Sequence, residues 1–190
     1  VKTQTMRGSP FVKPFEERVG SWERQLIHMQ EIFDEWLSCQ KVWLYLEPIF
    51  GSDDIMRQMP TEGRRFAAVD ALWRKNMADT VEDPGFMRCC DRDRLLEKFQ
   101  QANQRLDEIQ KGLNDYLETK RLSFPRFFFL SNDELLEILS QTKDPLAVQQ
   151  HLSKCFENIA KLEFQPDLQM TAMISGEGEK VDFTQGLYPK

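Results

Sequence analysis

The chain has 190 residues, 41% of them hydrophobic and 29% charged, with 25 Lys and Arg against 31 Asp and Glu for a net charge of −6. That length supports a core of ordinary domain size, and that composition is neither disordered nor membrane-spanning: no apolar run approaches the roughly 20 residues a membrane helix needs. The acidic balance argues against nucleic acid as the main partner, since phosphate binding needs a basic face. Residues 1–14 carry Gly8, Pro10 and Pro14 and read as a connecting segment. No basic-then-apolar leader is present, and the start at Val1-Lys2-Thr3 suits a piece of a longer chain.

From Phe15 the pattern changes. Phe15, Val19, Trp22, Leu26, Met29, Phe33, Trp36, Gln40 and Trp43 recur at steps of four and three, a heptad seam broken once by Gln40. The spacing predicts one helix of about eight turns, ended by Pro48 and Gly51. Ile32, Leu37 and Leu44 widen the stripe, which favours packing in a bundle over a two-stranded coil. Gln40 reads as a register-setting residue or a place where the packing changes partner. A short helical turn is expected over 53–59, then a second helix over 61–77 with Phe66, Val69, Leu72, Trp73 and Met77 inward. Asp83-Pro84-Gly85 breaks the chain.

A third, long helix is expected from near Asp91, with Leu95, Phe99, Ala102, Leu106, Ile109, Leu113 and Tyr116 on its seam. Asp91 and Asp93 suit its positive end, and Lys120 and Arg121 its negative end. The seam outweighs the propensity cost of Gly112, roughly 1 kcal/mol. After Pro125, the run Phe127, Phe128, Phe129, Leu130 reads as a buried extended segment. Ser131 and Glu134 have capping-box spacing, and Leu130 and Leu135 have that of a hydrophobic staple, so a helix is expected over 132–141. Asp144 as cap and Pro145 in the first turn predict another over 145–160, with Val148, Leu152, Phe156 and Ile159 inward. The end alternates: Met170, Ala172 and Ile174 against Thr171, Met173 and Ser175, then a Gly176–Gly178 turn and Val181-Asp182-Phe183. That is a β-hairpin, which is marginal alone and must pack on something. Gly186, Pro189 and the last residues read as a truncated boundary.

The expected fold is therefore mainly α: an elongated antiparallel helical bundle with two long helices and a C-terminal β-hairpin. It divides into a connecting segment 1–14, a helical bundle 15–164 and a hairpin with boundary 165–190.

Several strings carry a family likeness. SFPRFFFLSNDELLEILSQTKDP at 123–145 combines proline turn, aromatic run, capping box and second cap in one span. WLYLEPIF at 43–50, RFAAVDALWRKNM at 65–77, LDEIQKGLNDYLETKRLSFPRFFFLSNDELLEIL at 106–139, HLSKCFENIAKLEF at 151–164 and ISGEGEKVDF at 174–183 accompany it. In this order they resemble the heavy chain of dynein, in the linker region that precedes the motor ring. They are more similar to axonemal (ciliary) heavy chains than to cytoplasmic ones, over most of the chain from about Trp22 onward.

The resemblance implies a non-catalytic mechanical segment, a lever that bends and straightens over a ring of ATPase modules to drive microtubule-based motility. It implies partners in the ATPase ring of the same heavy chain, other dynein complex subunits and, through the parent, microtubules, with no nucleic acid and no membrane. ATP and Mg would belong to the parent ring, with no cofactor in this segment. The implied location is cytoplasm, cytoskeleton and cilium axoneme. A lever needs stiff seams and cheap joints, for which 48–60 and 83–85 are candidates, with the hairpin as a contact to the ring.

No residue is expected to be catalytic, cofactor-binding or metal-binding. The chain holds no GxxxxGK[ST], GxSxG, HExxH or EF-hand loop. SGEGEKV at 175–181 is glycine-rich with Lys180, but its glycines are misplaced and no helix pattern follows. Asp53-Asp54, Asp107-Glu108 and Asp133-Glu134 suit exposed faces and helix starts better than acid/base work. Cys39, Cys89, Cys90 and Cys155 form no CxxC and no cluster with His28 or His151, so they read as reduced thiols. Trp22, Trp36, Trp43 and Trp73 read as core. Arg126 reads as a salt bridge inside the bundle or a contact elsewhere in the motor. The competing reading of the seams is a static helical tether that binds a partner through an apolar face, and an apolar stripe left uncovered would favour it.

Overall fold

In a computed structural model the chain is mainly α, with a three-stranded antiparallel sheet near its C-terminus. The structure describes residues 1–140 and 144–189. The helices are α1 (Lys2–Arg7), α2 (Glu16–Phe50), α3 (Asp53–Gln58), α4 (Pro60–Glu82), α5 (Phe86–Cys90), α6 (Leu95–Ser123), α7 (Asn132–Ser140) and α8 (Leu152–Cys155). Strands β1 (Ile159–Phe164), β2 (Met170–Ser175) and β3 (Lys180–Leu187) follow. The chain separates into two compact units, Val1–Glu47 with Arg64–Ile109, and Pro48–Gly63 with Gln110–Lys190.

The first unit is organised by α2, whose 35 residues give it a length of about 52 Å at 1.5 Å per residue. Its inward face carries Met29, Ile32, Cys39 and Leu46, all buried, with Trp36 and Trp43 half-buried between them. Half of the expected seam is therefore correct: Met29, Trp36 and Trp43 face inward. The other half is displaced by one residue. Ile32 and Cys39 are fully buried, whereas Phe33 is 46% exposed and Gln40 is exposed. Gln40 does not interrupt the core; it lies outside it. The residues at 26, 33 and 40 occupy the next heptad position round the helix. Apolar side chains there mimic a seam that another row already fills. Pro48 sits inside the last turn of α2, where few hydrogen bonds remain to be lost, and the helix runs on to Phe50.

Four aromatic rings tie α2, α4 and α6 together in this unit. Trp43 stacks on Trp73 with centroids 5.4 Å apart, Trp73 meets Phe99 edge-on at 6.4 Å, and Phe99 stacks on Trp36 at 5.1 Å. The Trp43 indole N–H donates to Asp70 Oδ1 at 2.9 Å, so the ring's polar end is satisfied. Arg74 lies against the Trp43 ring, with Cζ 5.4 Å from the ring centroid, and pairs with Asp70 and Glu47. Asn103 of α6 donates to the Glu35 carbonyl at 2.9 Å. Helix α4 runs past the expected Met77 to Glu82, and Asn76 takes a buried position there by donating its amide to the Leu72 carbonyl. Helix α6 begins at Leu95 instead of near Asp91, because α5 and a turn through Arg94 at φ 51° precede it.

In the second unit the α6 seam continues through Leu113 to Leu117, both buried, in place of Tyr116. An α-helix drifts about 20° per heptad against a strict seven-residue repeat, so a seam fixed at Leu95 is overtaken by the next residue after three heptads. Tyr116, at the edge, donates its hydroxyl to Gln58 Oε1 at 2.6 Å. A side chain at Gly112 would meet Glu62 Cγ at 2.9 Å, a close approach that explains a glycine in mid-helix.

The capping box at α7 is formed. The Ser131 N–H donates to Glu134 Oε2 at 2.8 Å, and the Glu134 N–H to Ser131 Oγ at 3.3 Å. Leu130 and Leu135 are both buried, as a staple requires. The expected last residue of this helix, 141, lies outside the described residues. The run before the cap is not extended: Pro125–Phe129 is a 3-10 turn, with the Phe127 N–H bonded to the Phe124 carbonyl. A proline in the first turn favours such a start. Three residues per turn put only some rings inward, so Phe128 and Phe129 are 54% and 70% exposed.

The predicted helix over 145–160 is corrected. Asp144 caps it as expected, accepting from the Leu146 N–H at 3.0 Å, but the cap opens a 3-10 turn, Pro145–His151, followed by the short α8. The backbone becomes extended at Phe156, and Ile159 enters β1. The hairpin is thus two strands of a three-stranded sheet, with Leu162 opposite Met173 and Ala172 opposite Asp182. A lone hairpin is marginal, and β1 supplies the missing third strand. The Gln149 side chain bonds both the N–H and the carbonyl of Leu162, at 2.8 and 2.7 Å, and so imitates a neighbouring strand. Gly178, at φ +86°, turns the chain between β2 and β3.

Three substitutions check this packing by chemical denaturation. Leu106→Ala, at a fully buried seam position, is expected to cost about 2–5 kcal/mol. Ser131→Ala is expected to cost about 1 kcal/mol through loss of the cap. Gln40→Leu is expected to change stability by no more than about 0.5 kcal/mol; a large gain would show that Gln40 is buried after all.

Candidate functional site

The polar groups that could carry chemistry are dispersed, and most of them make structural contacts. Lys180, in the glycine-rich stretch, pairs with Glu163 at 2.8 Å across the sheet and with Asp182 at 3.4 Å. Asp54 pairs with Arg57 within α3, Glu108 lies 3.8 Å from Arg65, and Glu134 serves the capping box and pairs with Lys154. His28 is exposed beside Glu31, while His151 is buried with Nε2 3.4 Å from Glu137 Oε2 but without a hydrogen bond among the described residues. Among the described residues no group of three or more His, Cys, Asp or Glu could hold a metal ion, and no helix is long and apolar enough to cross a membrane.

The four cysteines are buried free thiols. Burial, aided by the nearby Glu35 charge, pushes the Cys39 thiol up to about 12. Arg126 makes a different contact. It donates to the Cys155 carbonyl at 2.8 Å and lies over the Phe156 ring at 4.6 Å, so a cation–π contact replaces the expected salt bridge. Trp22 departs from the core reading: it is 43% exposed.

Two features of the first unit stand out. The break after α4 is tightly bonded. Arg88 forks onto Asp83 with bonds of 2.7 and 2.5 Å, and the Gly85 N–H donates to Asp83 Oδ1 at 3.1 Å. Arg92 donates to the Asp79 carbonyl at 2.7 Å and to Thr80 Oγ1 at 2.9 Å, satisfying the free end of α4. The second feature is a row of uncovered apolar residues along α2. Leu26 is 38% exposed, Phe33 46%, Leu37 46% and Leu44 57%. Phe86, itself half exposed, lies edge-on to Phe33 at 6.2 Å. The sequence held the signal for this row: apolar residues occupy four of the seven heptad positions of α2, about twice what one seam requires.

The fold defines a mainly α chain with a small antiparallel sheet, and similarity to known proteins narrows that class. The profile of the family "Dynein heavy chain, N-terminal region 2" matches residues 1–190. The chain is 60% identical over 189 residues to human dynein axonemal heavy chain 3, covering all of this chain and 5% of the relative. It is 62% identical over 182 residues to human dynein axonemal heavy chain 12, covering 96% of this chain and 6% of the relative. It is 56% identical over 189 residues to mouse dynein axonemal heavy chain 1, covering all of this chain and 4% of the relative. The chain therefore belongs to the dynein heavy-chain family, in its N-terminal region, and its likeness to axonemal types is borne out. It spans about a twentieth of the length of these relatives.

The Asp83 knot makes a pH prediction. The hydrogen bonds from Arg88, then that from Gly85, hold the Asp83 carboxyl down at about 2. Its folded value lies below its unfolded one of about 3.9, so the knot stabilises the fold fully above that value, and the contribution is lost as pH falls towards 2. A carboxyl-detected NMR titration should place Asp83 near 2 and move it up towards the ordinary carboxylate range in Arg88→Ala.

Proposed function

We propose that this segment is part of the linker of an axonemal dynein heavy chain, a non-catalytic lever that transmits the nucleotide-driven movement of an ATPase ring elsewhere in the same chain. On this reading ATP and Mg act in that ring, and the segment works in the cilium axoneme, with microtubules and the other dynein subunits reached through the parent chain. The observation that carries the reading is the continuous buried seam of α6 from Leu95 to Leu117, combined with the family match over the whole chain. A strut that passes on force must resist bending, and a row of fully buried side chains supplies stiffness that an exposed helix lacks.

Of the two candidate joints, 48–60 is the one we assign to bending. The division between the compact units falls at Glu47 and Pro48, at Gly63 and Arg64, and within α6 at Ile109 and Gln110. The break at 83–85 is bonded through Asp83, Arg88 and Arg92 and is assigned a rigid role.

The uncovered row on α2 favours a second reading, a static docking element. The two separate in a gliding assay with the full-length motor. For a lever, Leu106→Ala lowers microtubule velocity several-fold while ATP turnover stays within twofold. For a static element, velocity follows turnover, and that outcome would overturn the lever.

A further inference from the structure

We propose that Ser9 is a phosphorylation site for a proline-directed protein kinase, and that the phosphate releases α1 from α2 by drawing Arg7 away from Glu23. Ser9 is followed by Pro10, and no other serine or threonine of the chain precedes a proline. Proline has no backbone N–H. A kinase cleft that offers an apolar surface and no hydrogen-bond acceptor at that position therefore selects Ser-Pro and passes over the other hydroxyls.

The structure makes this hydroxyl easy to present. Ser9 lies half-buried in the loop between α1 and the 3-10 turn Lys13–Phe15, next to the exposed Pro10 and Phe11. Its Oγ accepts from the Phe11 N–H at 3.3 Å, and its carbonyl accepts from the Val12 N–H at 3.2 Å. None of residues 1–20 is buried. Opening this segment to fit a kinase cleft therefore uncovers little apolar surface and breaks few bonds. In the transfer the Ser9 oxygen attacks the γ-phosphorus of ATP held with Mg by the kinase. The bond to the β–γ bridging oxygen breaks, ADP leaves, and the hydroxyl proton passes to the kinase's base.

The consequence follows from charge. The product carries about −1.5 to −2 charges and three acceptor oxygens, two residues from Arg7. Arg7 Nη1 donates to Glu23 Oε2 at 2.7 Å, the only ion pair that Glu23 makes among the described residues. The two partners are unequal: the Arg7 side chain is 67% exposed and that of Glu23 12%. An exposed guanidinium gives up one carboxylate readily for a bidentate phosphate on its own segment. Glu23 is then left needing water, which it gains when α1 moves off. Arg7 also borders a hollow of about 460 Å3 whose other charged groups are Glu16, Glu17, Glu23 and Arg24. With Arg7 drawn away, three carboxylates face one guanidinium there, and all three repel the phosphate. This inference stands whether or not the segment acts as a lever.

The test uses the full-length heavy chain, incubated with a proline-directed kinase and MgATP and mapped by mass spectrometry. Phosphate is expected on Ser9, lost in Ser9→Ala and formed about tenfold more slowly in Pro10→Ala. Hydrogen exchange on the same samples reads the effect on α1. Amides of residues 2–9 are expected to exchange roughly fivefold faster once Ser9 is phosphorylated, with no further gain when Arg7→Ala, which lacks the ion pair, is phosphorylated. Absence of phosphate on Ser9 would overturn the site. Unchanged exchange in the phosphorylated chain, or an equal gain in Arg7→Ala, would overturn the release of α1 through Arg7.

Discussion

The contact on which the first unit depends is the run of rings Trp43, Trp73, Phe99 and Trp36, which reaches α2 twice, α4 once and α6 once. Each ring buries a large apolar area, and the stacked and edge-on geometries add roughly 0.5–1.5 kcal/mol per pair beyond that area. Their more important property is directional. A leucine seam can slide by a turn at modest cost, but an indole stacked on Trp73, in contact with Arg74 and bonded through its N–H to Asp70 favours a single register. The rows of Met29, Ile32, Cys39 and Leu46 on α2 and of Leu95, Ala102, Leu106 and Ile109 on α6 then pack in the register the rings impose.

That register decides which half of α2's apolar surface is used. The helix carries apolar residues on an arc too wide for one seam, and the rings claim the side with Trp36 and Trp43. The row with Phe33 and Leu37 is left outside. The same economy is visible at the sheet, where the Gln149 amide occupies the edge of β1 that a further strand would otherwise take.

The polar side chains described here act on local geometry. Asp83, Arg88 and Arg92 close a chain break with hydrogen bonds; Ser131 and Glu134 close a helix start; Arg126 lies against Phe156. Each charged group is spent on fixing a local geometry. The family likeness was legible in strings such as SFPRFFFLSNDELLEIL because they are dense in backbone instructions, and those instructions belong to a particular fold.

Local rules were readable directly from the residues. The capping box at Ser131, the staple of Leu130 and Leu135, the Asp144 cap, the alternation of β2 and the rhythm of α6 all depend on neighbours within a turn or two, so spacing alone determined them. The inner seam of α2 was only half readable, because Leu26 and Phe33 satisfy a heptad as well as Ile32 and Cys39 do; only the rings on α4 and α6 choose between them. The switch from α8 to β1 escaped for a related reason: Phe156 and Ile159 fit a helical stripe, and the competing alternation of Lys161, Leu162, Glu163 and Phe164 gains its advantage from pairing with β2. Sequence by itself determined where helices start, where turns fall and how much apolar surface each element carries. Tertiary structure alone decided which of that surface is buried, because burial is a property of two facing elements and periodicity describes one.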